Sequence, residues 1–487
     1  MLKVHTWQWV CGVFIVSAMI VTTSRAQTFT NLADFNGNNG KYPEGAVIQG
    51  FDGNLYGTTN QGGANDAGIV FKMSPEGKLK ILYSFCSLAQ CADGSEPQGA
   101  LVLATNGMFY GVTASGGDSG RNGVGTIFAI TAAGKVTTLH NFEYNSEGAT
   151  PLAGLIQAAN GNFYGTTQAG GVGSGTIFEI SATGKFTSLY SFCSLGDCAD
   201  GVAPNTSLIQ GTDGNFYGTT PMGGNGSDCS FSLFHNGCGT VFRITPAGKL
   251  TTLYNFCSMP NCADGSQPQS SLIQATDGSF YGITEFGGAN LNIYGSGTVF
   301  KITPAGKLTT LYKFCTVTGC PDGEDPKAPL VQATDGNFYG TTIAGGAAGL
   351  GTLFEISPAG ALTTLDSVCS TSPCFPLGLL QATSGTFYGT TADGGNGYGN
   401  VFSLATGLGP FVSFVRSAAK AGQQFGILGQ GFTGTTGVSF NGIPATFTVR
   451  ADTLLIGTVP TGATTGYVTV TTLSGELTSN VPFRVLP

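Results

Sequence analysis

The chain has 487 residues, only 9% of them charged, and 27 acidic against 19 basic residues give a net charge of −8 at pH 7. Ordinary domains carry about 25% charged residues. So few Lys and Arg leave no basic patch. This excludes nucleic acid as a partner on electrostatic grounds and predicts a neutral, polar surface.

From the N-terminus, Met1 to Ala26 reads as a secretory signal peptide. Lys3 gives a weakly positive start, Val10 to Val21 an apolar core too short to span a bilayer, and Ser24-Arg25-Ala26 a small-residue cleavage site. No later segment is long and apolar enough to span a membrane. The expectation is a secreted or cell-surface extracellular protein, released or loosely held, and monomeric.

The segment Phe29 to Phe35 looks like the last strand of a repeat whose other strands lie far along the chain. An aromatic pair with Gly-Thr then recurs seven times, centred on Tyr56, Tyr110, Tyr164, Tyr217, Tyr281, Tyr339 and Tyr388 at spacings of 54, 54, 53, 64, 58 and 49 residues. A period of this length signals a repeat architecture. Residues 207–257 show its content. Ser207 to Gln210 is a short apolar run, Asp213-Gly214 a tight turn, and Phe216 to Thr220 a second run. After a Gly-rich loop come Gly239 to Ile244, the turn Pro246 to Lys249, and Leu250 to Phe256. Runs rich in Val, Ile, Thr, Phe and Tyr between turn residues read as strands, and the Asp-Gly step suits a hairpin needing φ > 0. Four antiparallel strands per repeat predict an all-β fold, a β-propeller. The last repeat stops after its third strand, Asn400 to Leu404. Docking Phe29 to Phe35 beside it completes a seventh blade and removes the open sheet edges; a linear β-solenoid would not need the split repeat.

The expected divisions are a signal peptide at 1–26, a seven-bladed propeller at 27–404, a linker at 405–410 and a small β-sandwich at 411–487. Short strands at regular spacing indicate the sandwich. Its pieces Gly429-Gln430-Gly431-Phe432, Val438-Ser439-Phe440-Asn441-Gly442, Ala445-Thr446-Phe447 and Val468-Thr469-Val470 resemble the IPT/TIG immunoglobulin-like family. Such modules commonly serve as spacers or interaction domains outside the cell. The repeats, through Gly-Asn-Phe-Tyr-Gly-Thr-Thr, Gly-Thr-Val-Phe-x-Ile and Gly-Lys-Leu-Thr-Thr-Leu-Tyr, resemble the GloVer-type tandem repeats of bacterial "choice-of-anchor" proteins. That resemblance implies a surface or secreted bacterial protein and transfers no catalytic residues; this chain shows no obvious anchor.

Twelve cysteines beyond Cys11 form close pairs: Cys86/Cys91, Cys193/Cys198, Cys257/Cys262, Cys315/Cys320 and Cys369/Cys374 at one spacing, and Cys229/Cys238. Local pairs after a signal peptide predict disulfides. No pair has zinc-knuckle spacing and histidine partners are lacking, so no metal site is expected from them.

The interblade connections and the Gly-Gly loops must share one face, the default binding face. Three features there carry the candidate sites. Asp93, Glu147, Asp200, Asp264 and Asp322 each precede a Gly and, three residues further on, a Pro. They could ring the channel mouth and hold a cation, calcium being the one cofactor considered; the plainer reading is an Asp-Gly turn. The enlarged loop of the fourth repeat displays Asp228, Phe231, Phe234 and His235, and the next repeat adds Asn292 and Tyr294. Aromatics beside polar groups suit a sugar or a peptide; the alternative is a satellite core. The seven repeated tyrosines are read as interblade packing. His140 replaces the usual tyrosine of its repeat, so packing accounts for it, and no nucleophile elbow or triad is in context. The balance is against an enzyme. The expected role is binding or scaffolding towards a glycan or a cell-surface protein. The alternative is a polysaccharide hydrolase or lyase, which a convergent acidic pair at the channel mouth with a raised pKa would favour.

Overall fold

The computed structural model describes residues 27–118, 123–225, 237–288, 295–367 and 375–486. The repeats form seven four-stranded antiparallel sheets, a propeller-like arrangement. Sheets 1 to 6 lie within residues 48–84, 102–141, 156–191, 209–255, 273–313 and 331–366. Sheet 7 joins Pro376–Gln381, Phe387–Thr391 and Asn400–Ala405 to the N-terminal strand Thr28–Asp34, which pairs antiparallel with Asn400–Ala405. In sheet 4 the four expected runs become Ile209–Gln210, Phe216–Thr220, Thr240–Ile244 and Leu250–Asn255. The first is only two residues long, and just before it the Ser207 N–H donates to Ser271 Oγ beside the next sheet, at 2.9 Å.

The second strand of every sheet is buried along its whole length, so both of its faces pack. Its tyrosine stacks on the phenylalanine one sheet further on. Tyr110–Phe163 and Tyr217–Phe280 have ring centroids 4.0 Å apart, Tyr56–Phe109 and Tyr164–Phe216 4.1 Å, Tyr281–Phe338 4.2 Å and Tyr339–Phe387 4.4 Å. Each such pair adds about 0.5–1.5 kcal/mol beyond area burial. At the remaining junction Leu55 stands in for the phenylalanine and shares a core with Tyr388.

The central glycine of each motif is steric. A Cβ on Gly165 would lie 2.5 Å from Phe178 Cζ and 2.8 Å from Leu155 Cδ2, so the ring of the third strand can lie over the second only where no side chain stands. The threonines that follow bond outward. Thr167 Oγ1 and Thr176 Oγ1 meet at 2.8 Å within sheet 3, and Thr166 Oγ1 donates to the Thr206 carbonyl of sheet 4 at 3.1 Å. The same bond from Thr390 reaches the Gly45 carbonyl at 3.3 Å, and the Thr383 N–H donates to Gln49 Oε1 at 3.0 Å. Sheet 7 is therefore tied to sheet 1 by the bonds that tie consecutive sheets.

The C-terminal segment forms two four-stranded sheets, one of Ser413–Phe414, Gln424–Leu428, Leu454–Thr458 and Phe447–Ala451, the other of Ile443–Pro444, Gly437–Phe440, Val468–Thr472 and Gly475–Thr478. They enclose Phe425, Phe440, Leu455, Val470 and Phe483. This sandwich docks on the turn face of the repeat sheets. Thr453 Oγ1 donates to the Phe51 carbonyl at 2.6 Å and Arg484 Nη1 to the Gly211 carbonyl at 3.0 Å. Among the described residues no helix is long and apolar enough to cross a membrane.

Four of the expected disulfides are present: Cys86–Cys91, Cys193–Cys198, Cys257–Cys262 and Cys315–Cys320. Cys238 is disulfide-bonded; Cys229, Cys369 and Cys374 lie outside the described residues.

Candidate functional site

Each disulfide-bearing connection is locked to the Gly-Gly loop of the next sheet. Gly117 N–H donates to the Cys91 carbonyl at 2.9 Å, Gly224 N–H to Cys198 at 3.0 Å, Gly288 N–H to Cys262 at 2.9 Å and Gly346 N–H to Cys320 at 2.8 Å. The connections and loops therefore share one face, and the sandwich occupies the other. From this face the chain enters each sheet through a residue in the left-handed region followed by proline: Tyr42, Glu96, Thr150, Ala203, Gln267, Asp325 and Phe375 all have φ between 43° and 60°. Such backbone costs about 1–3 kcal/mol per residue. Here it is held from both sides. The Asp325 N–H donates to the Ser296 carbonyl of the preceding loop at 3.1 Å, and its carbonyl accepts from the Ile343 N–H at 3.2 Å.

The prolines turn seven segments inward onto one central cavity of about 190 Å³, whose first lining residues are Glu44, Gln98, Leu152, Asn205, Gln269, Lys327 and Leu377. Beneath them the wall repeats: small residues, then an apolar strand. At the mouth the seven positions are occupied by an acid, three amides, a cation and two leucines.

Charge collects on one side of this mouth. Glu285, 4% exposed, accepts from Lys327 Nζ at 2.7 Å and from Gln269 Nε2. Burial, with Glu324 and Glu285 nearby, pushes the Asp325 carboxyl up to about 6. Burial also raises the Glu44 carboxyl, against the hydrogen bond it accepts from Asn60 Nδ2 at 3.0 Å. Ser270 Oγ and Asn205 Oδ1, both on lining residues, are buried without a partner among the described residues. A carboxylate that grips Lys327, a carboxyl pushed up to about 6 on the neighbouring connection, the cation itself and polar atoms without a partner among the described residues thus stand at or beside this opening. Such a set can bind a polar group and can exchange a proton with it.

The five carboxylates expected as cation ligands sit elsewhere. Asp93 accepts from Tyr83 Oη at 2.7 Å, the Ser87 N–H at 2.9 Å and the Leu88 N–H at 3.1 Å. Asp200 and Asp264 repeat this with Tyr190 and Tyr254 at 2.8 Å, and Asp322 with Tyr312 at 2.8 Å. Burial, with the aspartate alongside, pushes the Tyr83, Tyr190 and Tyr254 hydroxyls up to about 12, so they stay protonated donors. Glu147 takes His140 Nε2 at 2.7 Å instead, and His140 stacks on Phe186 at 4.1 Å. None of the five lines the mouth, and among the described residues no three of them converge as a ligand set. Their oxygens accept the hydrogen bonds that fold the connections. The two groups of potential metal-binding side chains that do converge, Cys238/Cys257/Cys262 and Cys315/Cys320/Glu324, consist mainly of cysteines held in disulfides. Asp228, Phe231, Phe234, His235, Asn292 and Tyr294 lie outside the described residues.

Sequence reasoning passed over Glu285, Asp325, Lys327 and the mouth amides. For the amides and Lys327 one signal was available: they stand directly after the Pro that recurs in every repeat, and their identity changes from repeat to repeat.

The Gloeobacter/Verrucomicrobia repeat model matches residues 17–234 and 229–471, and the chain belongs to this family. No protein of curated function matches it by sequence. Among solved structures it is similar to the virginiamycin B lyase of Staphylococcus aureus in a catalytically inactive form with quinupristin, at 15% identity and TM-score 0.52, over 78% of this chain and 99% of that one. It is similar also to a fungal alcohol oxidase of the AA5 family in complex with copper, at 13% identity and TM-score 0.51, over 95% and 100%. A streptogramin B lyase matches at 15% identity and TM-score 0.50, over 78% and 97%. At these identities the likeness is one of fold.

Proposed function

We propose that the chain is a seven-bladed β-propeller closed by its N-terminal strand and followed by an IPT/TIG-like immunoglobulin module. It is exported and acts outside the cell as a binding or scaffold protein, recognising a glycan or a surface protein at the channel mouth. Seven four-stranded sheets with a strand from each end of the repeat region in the last, four disulfides and a two-sheet C-terminal core support this reading.

One observation carries the function: seven near-identical repeats diverge where they meet at the mouth. Packing alone would favour seven equivalent residues there, as it does at the tyrosines. The cavity is smaller than the roughly 300–1,000 Å³ that encloses a whole small ligand, so it suits one projecting group of a larger partner. The test is a polysaccharide and glycan array, run with and without calcium, on the oxidised protein and on Gln98→Ala, Asn205→Ala and Lys327→Ala. Binding that all three variants leave untouched would refute the mouth as the site.

The second reading, a hydrolase or lyase, is favoured by Asp325. Burial, with Glu324 and Glu285 nearby, pushes its carboxyl up to about 6, the range in which a carboxyl can serve as general acid. Cleavage of an array-positive polysaccharide, abolished by Asp325→Asn with binding retained, would establish it.

A further inference from the structure

A second cavity, of about 420 Å³, lies between the C-terminal sandwich and the turn face of sheets 4 and 5. Its volume falls in the roughly 300–1,000 Å³ range of small-molecule sites, unlike the mouth. Ile209, Ala275, Ala418, Val481 and Pro482 give it an aliphatic wall, and no aromatic ring lines it, so it offers no stacking platform for a sugar.

The charge in that wall is Arg484. Its Nη1 reaches the Gly211 and Thr212 carbonyls, which fixes the guanidinium to sheet 4. Its Nε is buried without a partner, and Nη2 has no partner among the described residues. No carboxylate lies within 4.0 Å of Arg484 or Arg416 among the described residues. Asp213, the nearest acid to act on Arg484, is turned to Tyr217 Oη at 2.8 Å and to the side chain of Asn215 at 2.6 Å. Arg416 Nε is likewise buried and has no partner among the described residues, two residues before Ala418 of the cavity wall. Burial lowers both arginines. In a chain with 27 acidic residues against 19 basic ones, these two half-buried arginines stand at one domain junction with no carboxylate within 4.0 Å among the described residues, whereas Lys41, Lys72, Lys301 and Lys327 each find one.

We propose that this cavity binds a small amphiphilic monocarboxylate, its aliphatic body against Ile209, Ala275, Ala418 and Val481 and its carboxylate on the free Nε/Nη2 edge of Arg484. A guanidinium with one amine already held is pre-organised for two parallel N–H···O bonds to a carboxylate. A single cation, with Asp213 within electrostatic range, matches a monoanion better than a phosphate dianion. The bound ligand touches sandwich and sheets together, so it also fixes the docking of the two.

The experiment is calorimetric titration of the intact oxidised chain with sodium octanoate and, in parallel, 1-octanol. Saturable octanoate binding is expected, with octanol at least tenfold weaker. Arg484→Lys, which keeps the charge and loses the fork, should weaken octanoate about tenfold or more, as expected of a bidentate pair. Arg484 also links the two domains, so Ala418→Leu provides a variant that fills the cavity and leaves the guanidinium in place; it too should abolish binding. Octanol binding as tightly as octanoate, no octanoate binding at millimolar concentration, or unchanged affinity in Ala418→Leu would each overturn the proposal. Glycan binding at the channel mouth is independent of every one of these outcomes.

Discussion

His140 and Glu147 test whether the connections fold by a rule of reach. In four other repeats the strand ends in tyrosine and the connection carries aspartate, joined at 2.7–2.8 Å. In sheet 2 a shorter ring meets a longer acid and the bond is again 2.7 Å. The pair conserves total length. His140→Tyr alone drives a hydroxyl into the Glu147 carboxylate, and Glu147→Asp alone withdraws the acceptor from His140 and from the Glu143 N–H, now bonded at 3.1 Å. A hydrogen bond to a charged group is worth about 1.5–3 kcal/mol when shielded. The two side chains are 17% and 22% exposed, so each single change should cost about 1.5 kcal/mol, the lower end of that range. The double variant restores the pair seen elsewhere and should recover most of the loss, a coupling of about 2–3 kcal/mol. Urea unfolding of the oxidised protein and its three variants measures it. Strict additivity of the single changes would refute the length rule.

Gly165→Ala should cost about 1–3 kcal/mol through overpacking against Phe178, measured by urea midpoint, and Phe178→Leu added to it should return part of the loss. Replacing Cys257 and Cys262 by serine removes a six-residue ring and should cost about 2 kcal/mol on the chain-entropy model, measured by thermal unfolding. Leu103→Gln should loosen the sandwich: Leu103 packs with Leu428, Val415 and Leu454, burial worth about 1.5–3 kcal/mol, and faster proteolysis in residues 405–410 reports it. The raised Asp325 carboxyl favours the neutral form in the fold, so its contribution to stability is lost as pH rises from the ordinary 3.8 through about 6. Asp325→Asn should therefore stabilise at pH 8 and not at pH 4, and a carboxyl titration by NMR should place the midpoint near 6.

The architecture was legible because the period is carried by residues with no alternative. Gly165 is needed by the Phe178 ring, Tyr164 by the Phe216 ring, and Thr166 by the carbonyl of the following sheet; such demands recur in most of the sheets and print themselves in the sequence. The strand Thr28–Asp34 was legible for the same reason, since it resembles the partner it replaces. The site was not. Asp93 and Asp325 are both acids on the same connections, and only the fold separates them: one turns towards its own tyrosine, the other stands beside Glu324 and Glu285 across a gap in sequence. Convergence of single residues from different repeats has no period, so motif reading ranked the conserved acid above the variable neighbour.

That contrast bears on how the molecule divides its labour. Six of the seven sheets present a glutamine whose Oε1 accepts a backbone N–H from the preceding sheet, as Gln157 does from Thr105 at 3.1 Å and Gln210 from Ala159 at 2.9 Å. Leu103 is the exception, and it is there that the apolar edge of the sandwich rests. On the opposite face the exceptions are the mouth residues. A repeat protein builds its frame from what its units share, because a shared bond is formed again in almost every unit. It can act only through what they do not share, because an exact ring presents the same group in seven directions. The lower departure from identity therefore marks where the chain holds its own second domain, and the upper one marks where something outside the chain would be held.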